Sequence, residues 1–344
     1  MPNSVPNRSL LKAYLQLMRP ANIITAMADI LAGFALISFH FKYYYGIIKE
    51  LPNVYAGIWM QLTEFGVLLI LLLLLLSTIG LYGGGVVFND VFDANLDAAE
   101  RPERPIPSGR ASLQGASILG AILLLLGIAA AFWVSLISGL LAICIAVLAL
   151  VYDKWGKHTD LGPLNMGLCR GLNLMLGVSG IDVVGHHTVY PPLVISETVL
   201  PLEYSSLEKY WYLALIPIIY IAAITSISRG EVHGGNRKTL NLAFGLYCLV
   251  ILAIAGLAFI HLGQNFWQAL LFLGLFGYLI FPPLFRAIKE PVGRNIGMAV
   301  KAGVLSLIVM DAAIATAFAG WVYGSVVLIL LPISRILAKK FAVT

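Results

Sequence analysis

The sequence predicts an all-α, polytopic transmembrane helix bundle of nine or ten spans, and three observations predict it. Hydrophobic residues fill 60% of 344 positions and charged residues only 11%, a composition foreign to soluble domains. Most apolar residues lie in uninterrupted runs long enough to cross a hydrocarbon core of about 30 Å. The basic residues also segregate by loop. Arg8, Lys12 and Arg19 precede the first span, Arg101, Arg104 and Arg110 follow the second, and Lys154 and Lys157 follow the fourth. Arg229, Arg237 and Lys238 follow the sixth, Arg286, Lys289 and Arg294 the eighth, and Arg335, Lys339 and Lys340 end the chain. Only Lys42, Lys49 and Lys209 fall on the other side, with Arg170 and Lys301 inside spans. By the positive-inside rule both termini face the cytoplasm. The expectation is a multi-pass integral protein of a bacterial inner (cell) membrane. The net charge of +5 follows this topology and is not a nucleic-acid signal.

Taken in order, residues 1–19 form a polar cytoplasmic arm in which Ser9–Met18 suits a short helix on the membrane surface. Spans are expected near 20–40, 66–92, 113–134, 137–152, 162–182, 210–228, 239–261, 265–286, 297–319 and 321–338. The last is an extra C-terminal helix. It is separated from its neighbour by little more than Gly320, so the two could form one long bent helix. All belong to one domain covering 1–344. The first eighteen residues contain no apolar core followed by a small-residue cleavage site, so the first span is expected to serve as its own address. Cys144, Cys169 and Cys248 are scattered through apolar runs without metal-like spacing and read as packing residues. Tyr43, Tyr44, Tyr45, Trp211 and Tyr212 suit interfacial anchors, and His186 and His187 solvated loop positions.

The second span ends in a stretch unlike the rest, NDVFDANLDAAERPERPIPSGR from Asn89 to Arg110. Asn89, Asp93 and Asp97 recur every four residues, which on a helix stacks them on one face about 6 Å apart. Asp90 stands about a quarter turn away. Carboxylates this close repel one another unless a cation sits among them, and few, hard oxygen donors suit Mg2+ completed by phosphate oxygens. Arg101, Arg104 and Arg110 follow, guanidinium forks matched to phosphate. Acids for a metal and arginines for phosphate, together at a membrane edge, read as a diphosphate site.

Asn89-Asp-Val-Phe-Asp93-Ala-Asn-Leu-Asp97 with Arg104-Pro-Ile-Pro-Ser-Gly-Arg110 resembles the first aspartate-rich motif of the UbiA superfamily of intramembrane prenyltransferases. The resemblance implies a UbiA-like bundle with a central cavity open to the cytoplasmic side. It implies Mg2+ as cofactor, and an isoprenyl diphosphate and a lipophilic acceptor as partners in the bilayer. It also implies a role for Asn22, after Arg19-Pro-Ala, and favours Lys154 as a diphosphate contact. One departure stands out. Where the superfamily carries a second acidic motif, this chain reads Ser226-Ile-Ser-Arg229-Gly-Glu231-Val-His233-Gly-Gly-Asn236-Arg237. A single carboxylate, Glu231, remains, with Arg229, His233 and Arg237 as cations for direct diphosphate pairing. In this the chain is similar to the EboC-like subgroup.

Alternatives remain open on the sequence alone. Lys154 suits a phosphate contact or a plain topology charge. Arg170 lies roughly 12 Å into its span, either in a buried pair with Asp29 or at the wall of the diphosphate chamber. Lys301 and Asp311 raise the same question. The functional reading is Mg2+-dependent prenyl transfer, with Asp93, Asp97, Arg104, Lys154 and Glu231 at the reacting diphosphate. Its rivals are a non-catalytic diphosphate- or lipid-binding accessory and a secondary transporter.

Overall fold

The computed structural model describes residues 7–48, 53–180, 194–195, 198–199, 207–231, 234–261 and 265–341. His186, His187 and His233 lie outside these, as do the side chains of Lys42, Tyr43, Tyr44 and Tyr45. The regular secondary structure of the described residues is helical apart from a two-residue antiparallel pairing, Val194–Ile195 with Thr198–Val199. Its helices are α1 Asn7–Met18, α2 Pro20–Ile48, α3 Asn53–Phe92, α4 Ala94–Glu100, α5 Leu113–Val134, α6 Leu136–Lys154 and α7 Gly162–Val178. They continue as α8 Leu215–Ser228, α9 Arg237–His261, α10 Phe266–Lys289, α11 Gly293–Ala319, α12 Trp321–Leu328 and α13 Leu330–Phe341.

Among the described residues nine helical segments are long and apolar enough to cross a membrane. The remaining expected span is present as α7, a shorter helix of 17 residues. α2 and α11 are the most enclosed spans and pack on each other, and α2 also packs on α7. α3, α5, α6, α8, α9 and α10 surround them, with large apolar side chains such as Leu125, Phe259 and Tyr278 facing outward. That inversion of the soluble pattern is expected where lipid is the outer solvent.

Local chemistry explains the joins. Ser135 both ends α5 and caps α6, its hydroxyl accepting from the Ser138 N–H, so two spans meet across one residue. Gly320, at φ +86°, ends α11 and turns the chain back into α12, which packs against it. The two C-terminal segments are therefore a reversal and not one bent helix, because glycine alone takes that φ without strain. α3 and α5 cross closely at glycines. A Cβ on Gly80 would lie 2.5 Å from the Leu123 carbonyl, and one on Gly127 would lie 2.8 Å from that of Ser77. Such contact drives helix association where the hydrophobic effect cannot. α1 packs Ala13 and Leu17 against Val87, Ala111 and Ala116 near the ends of α3 and α5, leaving Leu10 and Leu11 exposed.

Candidate active site at one edge of the bundle

The acidic stretch spans a helix break. α3 stops at Phe92, Asp93 has φ −87° and ψ 2°, and α4 begins at Ala94. The four-residue register survives, since the Asp93 N–H donates to the Asn89 carbonyl at 3.0 Å and the Asp97 N–H to that of Asp93 at 2.8 Å. The carboxylates turn inward: Asp90 and Asp97 are buried, and the Asp93 side chain is 19% exposed.

Each carboxylate meets a cation. Arg104 donates to Asp97 Oδ2 at 2.6 Å and more distantly, at 3.4 Å, to Asp90 Oδ1. Arg19 Nη2 donates to Asp90 Oδ1 at 2.5 Å. The Lys157 ammonium donates to Asp93 Oδ1, and Asn89 Nδ2 donates to Asp153 Oδ1 at 2.9 Å. Arg19 holds a left-handed backbone, φ 46°, immediately before Pro20. An arginine in that region costs about 1–2 kcal/mol, so the pair with Asp90 fixes a strained joint between α1 and α2.

The other candidates are placed as follows. Arg110 donates to the Glu103 carbonyl at 2.6 Å and to Gln16 Oε1 at 2.9 Å, tying the loop after α4 to α1. Lys154 lies over the Trp155 ring at 4.5 Å. The ammonium on the acidic stretch belongs to Lys157 because Asp93 faces the residue one turn beyond Asp153. Asn22 opens α2, its N–H bonded to the Arg19 carbonyl at 2.9 Å. Arg229 donates to the Thr159 carbonyl and stands 3.6 Å from Asp160, joining the α8–α9 loop to the α6–α7 loop. Arg237 donates to the Lys289 carbonyl at 3.0 Å. Partial desolvation pushes the Glu231 carboxyl above its ordinary range, and the Arg101 guanidinium opposes that.

Arg170 is engaged by α2 and by the Tyr82 ring of α3. Its Nε lies 3.0 Å from Asp29 Oδ2, and Nη2 donates to Asp29 Oδ1 at 3.2 Å and to the Thr25 carbonyl at 2.9 Å. Asn173 donates to Asp29 Oδ2 at 2.9 Å and accepts from Thr78 at 2.8 Å. Of the two alternatives the sequence left open for Arg170, the structure shows the buried ion pair with Asp29. A guanidinium this deep needs a carboxylate beside it, and α2 supplies one. Asp311, fully buried on α11, interacts electrostatically with both partners. Lys301 is exposed.

Three site residues escaped the sequence reading: Arg19, Asp153 and Lys157. A signal existed for two of them, because Asp153 and Lys157 repeat the four-residue spacing of Asn89 and Asp93.

The donor chemistry fits a divalent cation. Four carboxylates, of Asp90, Asp93, Asp97 and Asp153, stand with the amide of Asn89 among three cations. Among the described residues no three acidic, histidine or cysteine side chains cage one point by themselves. Mg2+ takes one or two protein carboxylates and completes its shell from water and phosphate.

A multi-pass helical membrane protein with an oxygen-donor and guanidinium cluster at one end of its bundle is the class defined so far. The chain belongs to the UbiA prenyltransferase family, whose model matches residues 51–289. Digeranylgeranylglyceryl phosphate synthase of Methanosarcina barkeri is 32% identical over 175 residues, 51% of this chain and 56% of that one. The synthase of Ignicoccus hospitalis is 29% identical over 266 residues, 73% of this chain and 72% of that one. The match to several such relatives thus spans only about half of their length. Among solved structures, one of digeranylgeranylglyceryl phosphate synthase aligns with TM-score 0.58 at 21% identity, covering 90% of this chain and 99% of that one. A UbiA homolog from Archaeoglobus fulgidus bound to DMAPP and Mg2+ aligns with TM-score 0.53 at 14% identity, covering 86% and 99%. These likenesses establish the fold.

Proposed function

We propose that this protein transfers an isoprenyl group from a prenyl diphosphate to a lipophilic acceptor within the membrane, and that it depends on Mg2+. The observation that carries the reading is the convergence of Asn89, Asp90, Asp93 and Asp97 with Arg19, Arg104 and Lys157 at one end of a lipid-facing bundle. Family membership supports it, as do relatives named digeranylgeranylglyceryl phosphate synthase. The relatives quoted are archaeal; the reading carried forward is a multi-pass protein of a cell membrane with both termini facing the cytoplasm.

Asn89, Asp93 and Asp97, with Asp90 beside them, would hold the Mg2+. When bound, it supplies Lewis-acid stabilisation of charge on the departing diphosphate. Arg104, which donates to Asp97 and more distantly to Asp90, would pass from carboxylate to phosphoryl oxygen as the allylic C–O bond breaks. Lys157 does the same from the α6–α7 loop, with Lys154 and His158 flanking it in sequence. Arg101, Arg229, Glu231 and Arg237 would set the charge met by an arriving diphosphate, with His233 following Glu231 in sequence. Arg110 ties the loop after α4 to α1, and Asn22 stands at the start of α2 beside Arg19. The prenyl chain lies among apolar helices, which keep water from the developing cation. The acceptor then forms the new bond, and its proton leaves with the solvent-facing diphosphate.

The acid-poor α8–α9 loop favours a second reading, a protein that binds diphosphate without turnover. Purified protein in lipid nanodiscs, given labelled isoprenyl diphosphates and membrane lipid extract, separates the two. Transfer predicts free diphosphate and a labelled lipid, both lost in Asp93→Asn. Saturable binding with no diphosphate released would remove the enzyme.

A further inference from the structure

The four-residue spacing of Asn89, near the end of α3, and Asp93, at the break after it, is matched across the site by Asp153 in the last turn of α6 and Lys157 in the loop that follows. The match forms two rungs: Asn89 with Asp153, and Asp93 with Lys157. Asp153 is 6% exposed, so its carboxylate sits within the bundle edge and not in the loop beyond it. The Asn89 amide spends its nitrogen on Asp153, which leaves its oxygen, the donor a hard cation prefers, available. On this face a lone Asp93 carboxylate would be cancelled by Lys157. With Asp153 added, the face carries two carboxylates, an amide oxygen and one ammonium, a net negative charge that favours a divalent ion.

The far side of the site cannot make that contribution. Among the described residues the loop from Ser226 to Thr239 carries only Glu231 as an acid. That carboxyl is exposed, and the positive charge of Arg101 acts on it. Arg229 in the same loop is engaged by Thr159 and Asp160. A carboxylate to stand in for the acids this loop lacks, beyond Asp90, Asp93 and Asp97, must therefore come from elsewhere in the chain.

We propose that Asp153 is that carboxylate, a binding residue for the divalent cation contributed by α6 in place of the acids missing from the α8–α9 loop. This rests on the diphosphate reading above, and the test separates the two. Mn2+ binding in the presence of inorganic pyrophosphate is followed by electron paramagnetic resonance on the full chain in nanodiscs. The wild type is compared with Asp153→Asn, Asp93→Asn and, as control, Glu100→Gln, an exposed acid on α4. Asp153→Asn is expected to weaken Mn2+ affinity about tenfold or more, Asp93→Asn at least as much, and Glu100→Gln by less than about twofold, since exposed charge is screened. Asp153→Glu is expected to restore most of the affinity. Wild-type affinity in Asp153→Asn with loss in Asp93→Asn overturns the role of Asp153 and leaves the metal site standing. Wild-type affinity in both overturns the metal site itself, and the role of Asp153 with it. Asp153→Ser, which also removes the carboxylate, decides the matter if the asparagine variant does not fold.

Discussion

Two charged clusters in this molecule are built from the same residue types and differ in what surrounds them. The edge cluster joins Asp90, Asp93 and Asp97 to Arg19, Arg104 and Lys157, whose side chains are 31%, 13% and 17% exposed. The interior cluster joins Asp29 to Arg170, at 0% and 4%, with Asn173, Thr25 and Thr78 satisfying further polar atoms. In the interior the charges are closed on one another by bonds from α2, α3 and α7, and no partner can leave without stranding a charge in lipid-like surroundings. At the edge each cation keeps one side toward solvent and can exchange a carboxylate for an incoming anion. Chemistry belongs to the cluster whose bonds can be traded, and integrity to the one whose bonds cannot.

Breaking the interior pair should therefore have the largest effect. Asp29→Asn or Arg170→Met should destabilise the fold by about 3–5 kcal/mol, read as a lowered unfolding midpoint in detergent. Exchanging both for apolar residues should recover part of the loss. A midpoint unchanged by either single substitution would erase the distinction between the clusters.

Next in size are the edge carboxylates. Asp97→Asn or Arg104→Gln should lower prenyl transfer about 10²–10³-fold, the usual loss for one preorganised electrostatic contact, with the unfolding midpoint near that of the wild type. Equal loss of stability and activity would make the edge cluster structural as well.

Arg19 sharpens the comparison from the middle. Arg19→Gly removes the ion pair to Asp90 but also the left-handed strain at φ 46°. Because that strain costs about 1–2 kcal/mol, the two changes should nearly offset in stability. Diphosphate affinity, measured by calorimetry, should still fall several-fold.

The smallest effect concerns the opposing loop. Partial desolvation holds the Glu231 carboxyl above the usual glutamate range, with Arg101 opposing. Across the window from the ordinary value up to the raised one, the folded state binds more protons than the unfolded state, so stability falls as pH rises. Glu231→Gln should flatten that slope in unfolding midpoints measured against pH, and Arg101→Gln should steepen it.

Residue patterns made much of this legible. Apolar runs set the spans because a bilayer leaves a backbone little choice but helix. Asn89, Asp93 and Asp97 were readable because i, i+4 spacing needs no tertiary information. The pairing of Arg170 with Asp29 was readable because a deep charge demands a counter-charge at matching depth. Arg19, Asp153 and Lys157 were not assigned, since what makes them part of the site is a partner 64 or 71 residues away along the chain.

The sequence by itself determined a multi-pass helical protein with an acid-rich edge and a charge buried at depth, because periodicity and hydropathy are local properties. Only the tertiary structure decided which cation meets which carboxylate. Lys157 and not its neighbour Lys154 reaches Asp93, and Arg170 turns inward to α2, because both outcomes depend on how α2, α3, α6 and α7 are packed together.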